Sequence, residues 1–183
     1  MTALQSLKYR QWFRGADVDG DGFITQQDVR MMSERYLTAR DTAPDSATAR
    51  RLTQGMDEFW TNVIAPLDQD GDGRVDLHEM TEGFKRALTD PAQFPHQIGP
   101  VTDCFFDLVD LNGNGKIEQD EFQLMFGSIS GVPGTDCAEV FTALDQDGSG
   151  ALDRTEFRQA VSEFFYGNDP HAPANHLFGK INP

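Results

Sequence analysis

The chain has 183 residues, 38% of them apolar and 10% aromatic, enough to bury a core in one compact domain or two small lobes. Its 30 acidic and 15 basic residues give a formal charge of −15, which argues against nucleic acid or an anionic membrane as partner, because phosphates would be repelled. A chain this acidic yet this rich in phenylalanine is not a disordered one, so its carboxylates are expected to be gathered to hold cations.

From the N-terminus, Tyr9, Trp12, Phe13 and Ala16 recur at helical spacing. The stretch DVDGDGFITQQD follows at 17–28. Asp17, Asp19 and Asp21 alternate at positions 1, 3 and 5, Gly22 stands at position 6, Ile24 at 8 and Asp28 at 12. A calcium ion takes six to eight hard oxygens at roughly 2.3–2.6 Å, and alternate side chains on a tight turn converge on such a centre. Glycine at position 6 permits the bend, position 7 (Phe23) offers only its backbone carbonyl, and the acid at 12 closes the shell. Asp28 is one methylene shorter than the usual glutamate. A second apolar stripe, Val29 and Met32, then begins.

The segment ARDTAPDSATARR breaks the pattern, and Asp45 or Ser46 is the expected N-cap of a long helix running to Leu67. Its stripe is Trp60, Val63, Ile64 and Leu67. The second loop, DQDGDGRVDLHE at 68–79, offers Asp68, Asp70, Asp72, the carbonyl of Arg74, and Glu79. Met80 and Phe84 follow on the exit helix. The stretch LTDPAQFPHQIGP cannot be crossed by a continuous helix, so the chain is divided into an N-terminal pair over 1–90 and a linker over 91–100.

The C-terminal pair spans 101–166. Phe105, Phe106 and Val109, with Thr102 in the fourth slot, lead into DLNGNGKIEQDE at 110–121, with Asp110, Asn112, Asn114, the Lys116 carbonyl and Glu121. Phe122 and Phe126 follow, then a turn at SGVPGTD with Thr135 or Asp136 as the next cap. Cys137, Val140, Phe141 and Leu144 lead into DQDGSGALDRTE at 145–156, with Asp145, Asp147, Ser149, the Ala151 carbonyl and Glu156. Phe157 and Phe164 continue the exit stripe, and a tail at 167–183 is expected to fold back and place Leu177 and Phe178 in an apolar gap between the lobes.

Four full twelve-residue matches make a strong repeat signal, where one alone would be weak. Each unit reads helix–loop–helix, and one such hand cannot bury its stripe alone. The expected fold is therefore all-α: four EF-hands in two packed pairs, with short two-stranded bridges joining Ile24 to Val75 and Ile117 to Leu152.

The uneven loop spacing, GVPGTDCAEVF before the fourth loop, and the ending FFYGNDPHAPANHLFG resemble the sarcoplasmic calcium-binding protein family, which includes calexcitin and calerythrin-like proteins. The resemblance covers nearly the whole chain. It implies two packed EF-hand pairs, a C-terminal segment folded back on them, and intracellular calcium buffering or sometimes signalling. Members of that family commonly carry degenerate loops, whereas all four here keep a complete donor set.

The loops differ in charge. At the donor positions the second holds five carboxylates, Asp68, Asp70, Asp72, Asp76 and Glu79; the first and fourth hold four each; the third holds Asp110, Glu118 and Glu121. Up to four Ca²⁺ ions are expected, with Mg²⁺ competing at the first loop, because a short acid favours a contracted, six-coordinate shell. Cys137, Trp12 and Trp60 fall in core slots. The scattered His78, His96, His171 and His176 compose no zinc or acid–base site, and no nucleophile triad or phosphate loop is present, so no enzymatic activity is expected.

The expectation is a soluble, cytoplasmic, monomeric calcium buffer, without nucleic-acid partner, signal peptide or membrane span. The alternatives are a calcium sensor that binds a target protein when loaded, and, more remotely, a coelenterazine-type ligand-binding protein or photoprotein.

Overall fold

The structure, a computed structural model, describes the whole chain except residues 89, 91, 93, 131–133, 180, 182 and 183, and the side chains of 97, 128–130, 134 and 135. Nine α-helices are described: α1 (Ala3–Ala16), α2 (Gln26–Ala39), α3 (Ala47–Phe59), α4 (Leu77–Ala87), α5 (Phe94–Gln97), α6 (Gly99–Val109), α7 (Gln119–Ser130), α8 (Gly134–Leu144) and α9 (Arg154–Tyr166). Four two-residue strands, β1 (Phe23–Ile24), β2 (Val75–Asp76), β3 (Ile117–Glu118) and β4 (Ala151–Leu152), form two antiparallel bridges. Their registers pair Ile24 with Val75 and Ile117 with Leu152, as the repeat predicts.

The helices start where the sequence supplies a cap. Ser46 Oγ accepts from Ala49 N at the head of α3. At α2, α4 and α9 the cap is loop position 9 (Thr25, Asp76, Asp153), and position 12 answers it in a reciprocal capping box. In these three hands one pair of residues thus ends the loop and begins the helix. Two boundaries depart from expectation. The helix expected to run to Leu67 is α-helical only to Phe59, widens to a π turn over Trp60–Ile64 and tightens to a 3-10 turn over Ala65–Leu67. Pro66 lacks the N–H that would continue the α ladder, and its ring excludes the carbonyl four residues back. The fourth hand's first helix begins at Gly134, so Thr135 and Asp136 lie inside it rather than capping it; Asp136 sits in the first turn, where the helix dipole favours an acid. The rest of that expected turn, residues 131–133, lies outside the described residues.

Every residue named in the two apolar stripes is buried or half-buried, Thr102 included, whose hydroxyl donates to the Ile98 carbonyl at 2.9 Å. The stripes form one continuous core rather than two. Helix α2 packs on α7, α3 on α6, and α1 on α4, α7 and α9, so each EF-hand pair covers the apolar face of the other. Tyr9 and Trp12 of the first hand meet Phe84 of the second at ring distances of 5.2 and 5.3 Å, and Phe84 meets Phe165 of the fourth at 5.4 Å. Between α4 and α6, Phe94 of α5 is buried with its ring 6.3 Å from that of Tyr166.

A buried lysine, unflagged by the repeat pattern, joins the first and last hands. Lys8 Nζ donates to the carbonyls of Glu163 (3.1 Å), which also accepts from Gly167 N (2.8 Å), and of Gly167 (2.9 Å), so it adds side-chain donors at the end of α9. The tail continues from there. Its 3-10 turn, Pro173–His176, packs on α8 and α9. Leu177 is buried, and the Phe178 ring lies 4.8 Å from Phe164 and 5.7 Å from Phe126. Among the described residues no helix is long and apolar enough to cross a membrane.

Candidate metal centres

Each centre is built from a backbone that curls around its own acids. In the first loop Asp17 Oδ1 accepts from Gly20 N at 2.9 Å and Oδ2 from Gly22 N at 3.0 Å. Asp68 and Asp110 do the same with the corresponding glycines, and Asp145 with Ser149 N and Gly150 N. Positions 3 and 5 accept from amides two residues on: Asp19 from Asp21, Asp21 from Phe23, Asp70 from Asp72, Asp72 from Arg74, Asn112 from Asn114, Asn114 from Lys116, and Asp147 from Ser149. Such a curl needs a left-handed residue at position 6, and Gly22, Gly73, Gly115 and Gly150 have φ of 93°, 84°, 81° and 82°.

The acid at position 12 closes the loop from the far side. One oxygen of Glu79 accepts from Gln69 N (2.9 Å) and the other from Asp76 N (3.0 Å); Glu121 spans Leu111 N and Glu118 N, and Glu156 spans Gln146 N and Asp153 N, in the same way. Asp28 makes the same span with a shorter side chain. Its Oδ1 accepts from Val18 N at 2.8 Å, and its Oδ2 from Thr25 N at 2.8 Å and Thr25 Oγ1 at 2.7 Å. The shorter acid thus makes the same span as the glutamates, and Asp28 is only 1% exposed.

The donors fit calcium by size as well as chemistry. Carboxylate oxygens of Asp17, Asp19 and Asp28 all lie within 4.8 Å of one another, as do those of Asp68, Asp70 and Asp72, and those of Asp145, Asp147 and Glu156. A shell of oxygens at about 2.3–2.6 Å has a diameter of about 4.6–5.2 Å, so each of the three sets can hold an ion of its own with little movement. The third loop offers Asp110 and Glu121 with the side-chain oxygens of Asn112 and Asn114 instead. There Glu118 accepts from Asn112 Nδ2 (3.0 Å) and Asn114 Nδ2 (2.5 Å). Burial pushes the Glu121 carboxyl up, while its hydrogen bond with Glu118 and the two amides hold Glu118 down. In the fourth loop Ser149 Oγ donates to the Ala151 carbonyl at 2.9 Å, joining positions 5 and 7. Phe23 and Ala151 lie in their strands and Arg74 and Lys116 immediately before theirs, so position 7 always sits at the bridge.

Two arginines act on the loops in ways that the repeat does not reveal. Arg51 of α3 donates to the carbonyls of Asp110 (3.4 Å) and Leu111 (3.1 Å), so a residue of the second hand braces the start of the third loop. Arg74, expected from the sequence to offer its carbonyl, turns its side chain onto Asp72.

Comparison with known proteins places all four loops inside EF-hand matches. A family model described as an EF-hand domain pair matches residues 101–162, and one described as EF hand matches 10–33 and 67–85. Calerythrin of Saccharopolyspora erythraea is 23% identical over 168 residues, covering 91% of this chain and 94% of that protein. Obelin of Obelia geniculata is 37% identical over 183 residues, covering 96% of this chain and 90% of obelin. The solved structure of a sarcoplasmic calcium-binding protein from amphioxus superposes with a TM-score of 0.73 at 18% identity, over 100% of both chains. That of the coelenterazine-binding protein from Renilla muelleri gives 0.75 at 19% identity, over 99% of this chain and 100% of that one. At these identities the two structures speak for the fold alone.

Proposed function

The chain belongs to the EF-hand family of proteins like the sarcoplasmic calcium-binding proteins, and from that premise we propose that it is a cytoplasmic, monomeric calcium buffer holding up to four ions, with magnesium competing at the first site. The observation that carries the buffer reading is the shared core. Buffer EF-hands barely open on binding, whereas sensors expose a groove for a target helix. Here the faces that would form such a groove are already occupied: Phe84 by Tyr9, Trp12 and Phe165, and Phe105 by Phe59 at 6.1 Å and Phe126 at 6.2 Å. The contracted reach of Asp28 supports magnesium at site 1, since Mg²⁺ takes six ligands at about 2.0–2.1 Å.

Calorimetric titration of the metal-free protein with calcium, with and without millimolar magnesium, tests this reading. Four binding events are expected, one of them weakened by magnesium, with no rise in hydrophobic-dye fluorescence. A calcium-dependent rise in dye binding would favour a sensor instead. No magnesium effect at site 1 would remove the mixed-site assignment.

One observation favours a second reading, that of a ligand carrier like the coelenterazine-binding protein. An apolar cavity of about 70 Å³ lies among Trp12, Phe59, Phe84, Phe105, Phe165 and Phe178. Ligand pockets usually measure about 300–1,000 Å³, so a molecule of that size would have to displace Phe178 and the tail. Saturable quenching of tryptophan fluorescence by coelenterazine would support this reading, and its absence would leave the buffer.

A further inference from the structure

The side chain at position 7 of the second loop has an engagement that its ligand role does not require. Position 7 gives an ion only its carbonyl oxygen, which any residue supplies. Arg74 Nε and Nη2 donate to Asp72 Oδ2 at 3.1 and 2.8 Å, while Asp72 Oδ1 accepts from Arg74 N at 2.9 Å. One residue therefore engages both oxygens of the position-5 donor. The guanidinium also lies over the ring of Phe23, 4.3 Å from its centroid, and Phe23 is position 7 of the first loop, set opposite Asp76 by the β1–β2 register. Planar stacking of this kind holds the fork in place without fixing it to a second carboxylate.

We propose that Arg74 is a tethered counter-cation for the second site: it occupies Asp72 in the metal-free loop, yields that carboxylate when calcium enters, and so holds the site's affinity below what five carboxylates alone would give. The proposal rests on the reading of loop 68–79 as a calcium site. Two effects carry the same sign. Before binding, the fork stabilises the empty loop against the mutual repulsion of its acids. After binding, the guanidinium and the divalent ion stand on the same side of Asp72 and repel each other. An exposed ion pair is worth little to folding, and these side chains are 49% and 35% exposed. Here one partner is a metal donor, so whatever the pair contributes is subtracted directly from binding. The stack on Phe23 ties this release to the first loop: when Arg74 leaves Asp72, the outer face of Phe23 loses its cover. Arg74 is thus a positioning and affinity-setting residue rather than an additional ligand.

The test is a calcium titration of the full chain, followed through the amide resonances of Gly73 for site 2, Gly22 for site 1 and Gly150 for site 4. Arg74→Met, which keeps the aliphatic stem, is expected to raise the site-2 association constant by about two- to five-fold at low salt. The gain should shrink towards none at about 0.5 M salt, where exposed charges are screened, while site 4 stays unchanged. Arg74→Lys, which keeps the charge but loses the fork and the stack, should fall between the two. A site-2 constant that is unchanged or lowered in Arg74→Met overturns the proposal, as does a gain indifferent to salt. If Gly73 does not respond to calcium in the unaltered protein, the reading of this loop as a site fails and the proposal with it. If Gly73 responds identically in both proteins, only the proposal fails.

Discussion

Truncating Leu177 to alanine measures how far the C-terminal tail belongs to the core. Leu177 is 1% exposed and is followed by Phe178, whose ring rests on Phe164 and Phe126. The change removes three carbons, each worth about 0.8 kcal/mol when buried, or about 2.4 kcal/mol by transfer alone. The neighbours that would have to collapse into the space are held by aromatic packing and by the 3-10 turn Pro173–His176, so a cavity contribution raises the cost to about 3–4 kcal/mol. For a chain of this size each kcal/mol lowers the melting temperature by about 2–4 °C, so a fall of roughly 6–16 °C is expected. Circular dichroism melts in chelator, repeated with saturating calcium, would show it. The fall should persist in calcium, because Leu177 lies outside the loops and metal binding stabilises both proteins alike. A fall below about 2 °C, or one present only without metal, would refute the assignment of Leu177 to a tightly packed core.

Other changes probe the loops and the buried polar groups. Asp28→Glu adds a methylene to a carboxylate that already spans Val18 N and Thr25 N, so the first loop must widen. Magnesium competition at site 1 should weaken and calcium affinity rise, as read by titration with and without magnesium. Burial lowers the Lys8 ammonium from 10.5 to about 8, with Glu163 opposing. Between those pH values the unfolded chain holds a proton that the folded one has released, so stability should rise with pH from 8 towards 10, by about 2–3 kcal/mol. Above pH 10 the effect reverses, because burial raises the phenols of Tyr9 (to about 12), Tyr36 and Tyr166, and the unfolded chain then loses their protons first. Urea denaturation across this range should show the rise, and Lys8→Met should flatten it. Tyr36 Oη is buried without a hydrogen-bond partner among the described residues, so Tyr36→Phe should be neutral or stabilising by up to about 1–2 kcal/mol in the same assay.

The repeat made the helix–loop–helix units, their apolar stripes and both bridge registers legible, because each follows from a local period. The curl of each loop around its first acid was legible for the same reason: the spacing of side chains on a tight turn is a property of twelve consecutive residues. Contacts between units carry no such period. Arg51 braces a loop about 60 residues away in sequence, and Lys8 caps a helix end about 155–159 residues away. Neither residue differs in sequence from an ordinary solvated cation on a helix. Arg74 stands within the second loop itself. The loop rule says that position 7 needs no side chain, and gives no signal for a guanidinium that returns to the donor two residues before it.

The long-range contacts also bear on how the protein can move. A sensor lobe opens by swinging one hand away from its partner, and the apolar surface so exposed must be repaid by a target. In this chain Phe84 of the second hand is wedged among Tyr9, Trp12 and Phe165, residues of the first and fourth hands. Opening the N-terminal pair therefore uncovers the C-terminal pair as well. Exposing Phe84, Phe165 and Trp12 together would cost about 1.5–3 kcal/mol or more for each ring, before the loss of the Lys8 contacts to α9 is counted. Calcium can drive such a change only through a difference in its affinity for the closed and open states. The loops limit that difference, because each position-12 acid already spans both sides of its loop in the closed state. An ion entering a loop closed in this way replaces amide hydrogen bonds with metal ligands and leaves the helix positions nearly as they are. This is the response expected of the proposed buffer, in which stability, rather than shape, would follow the calcium concentration.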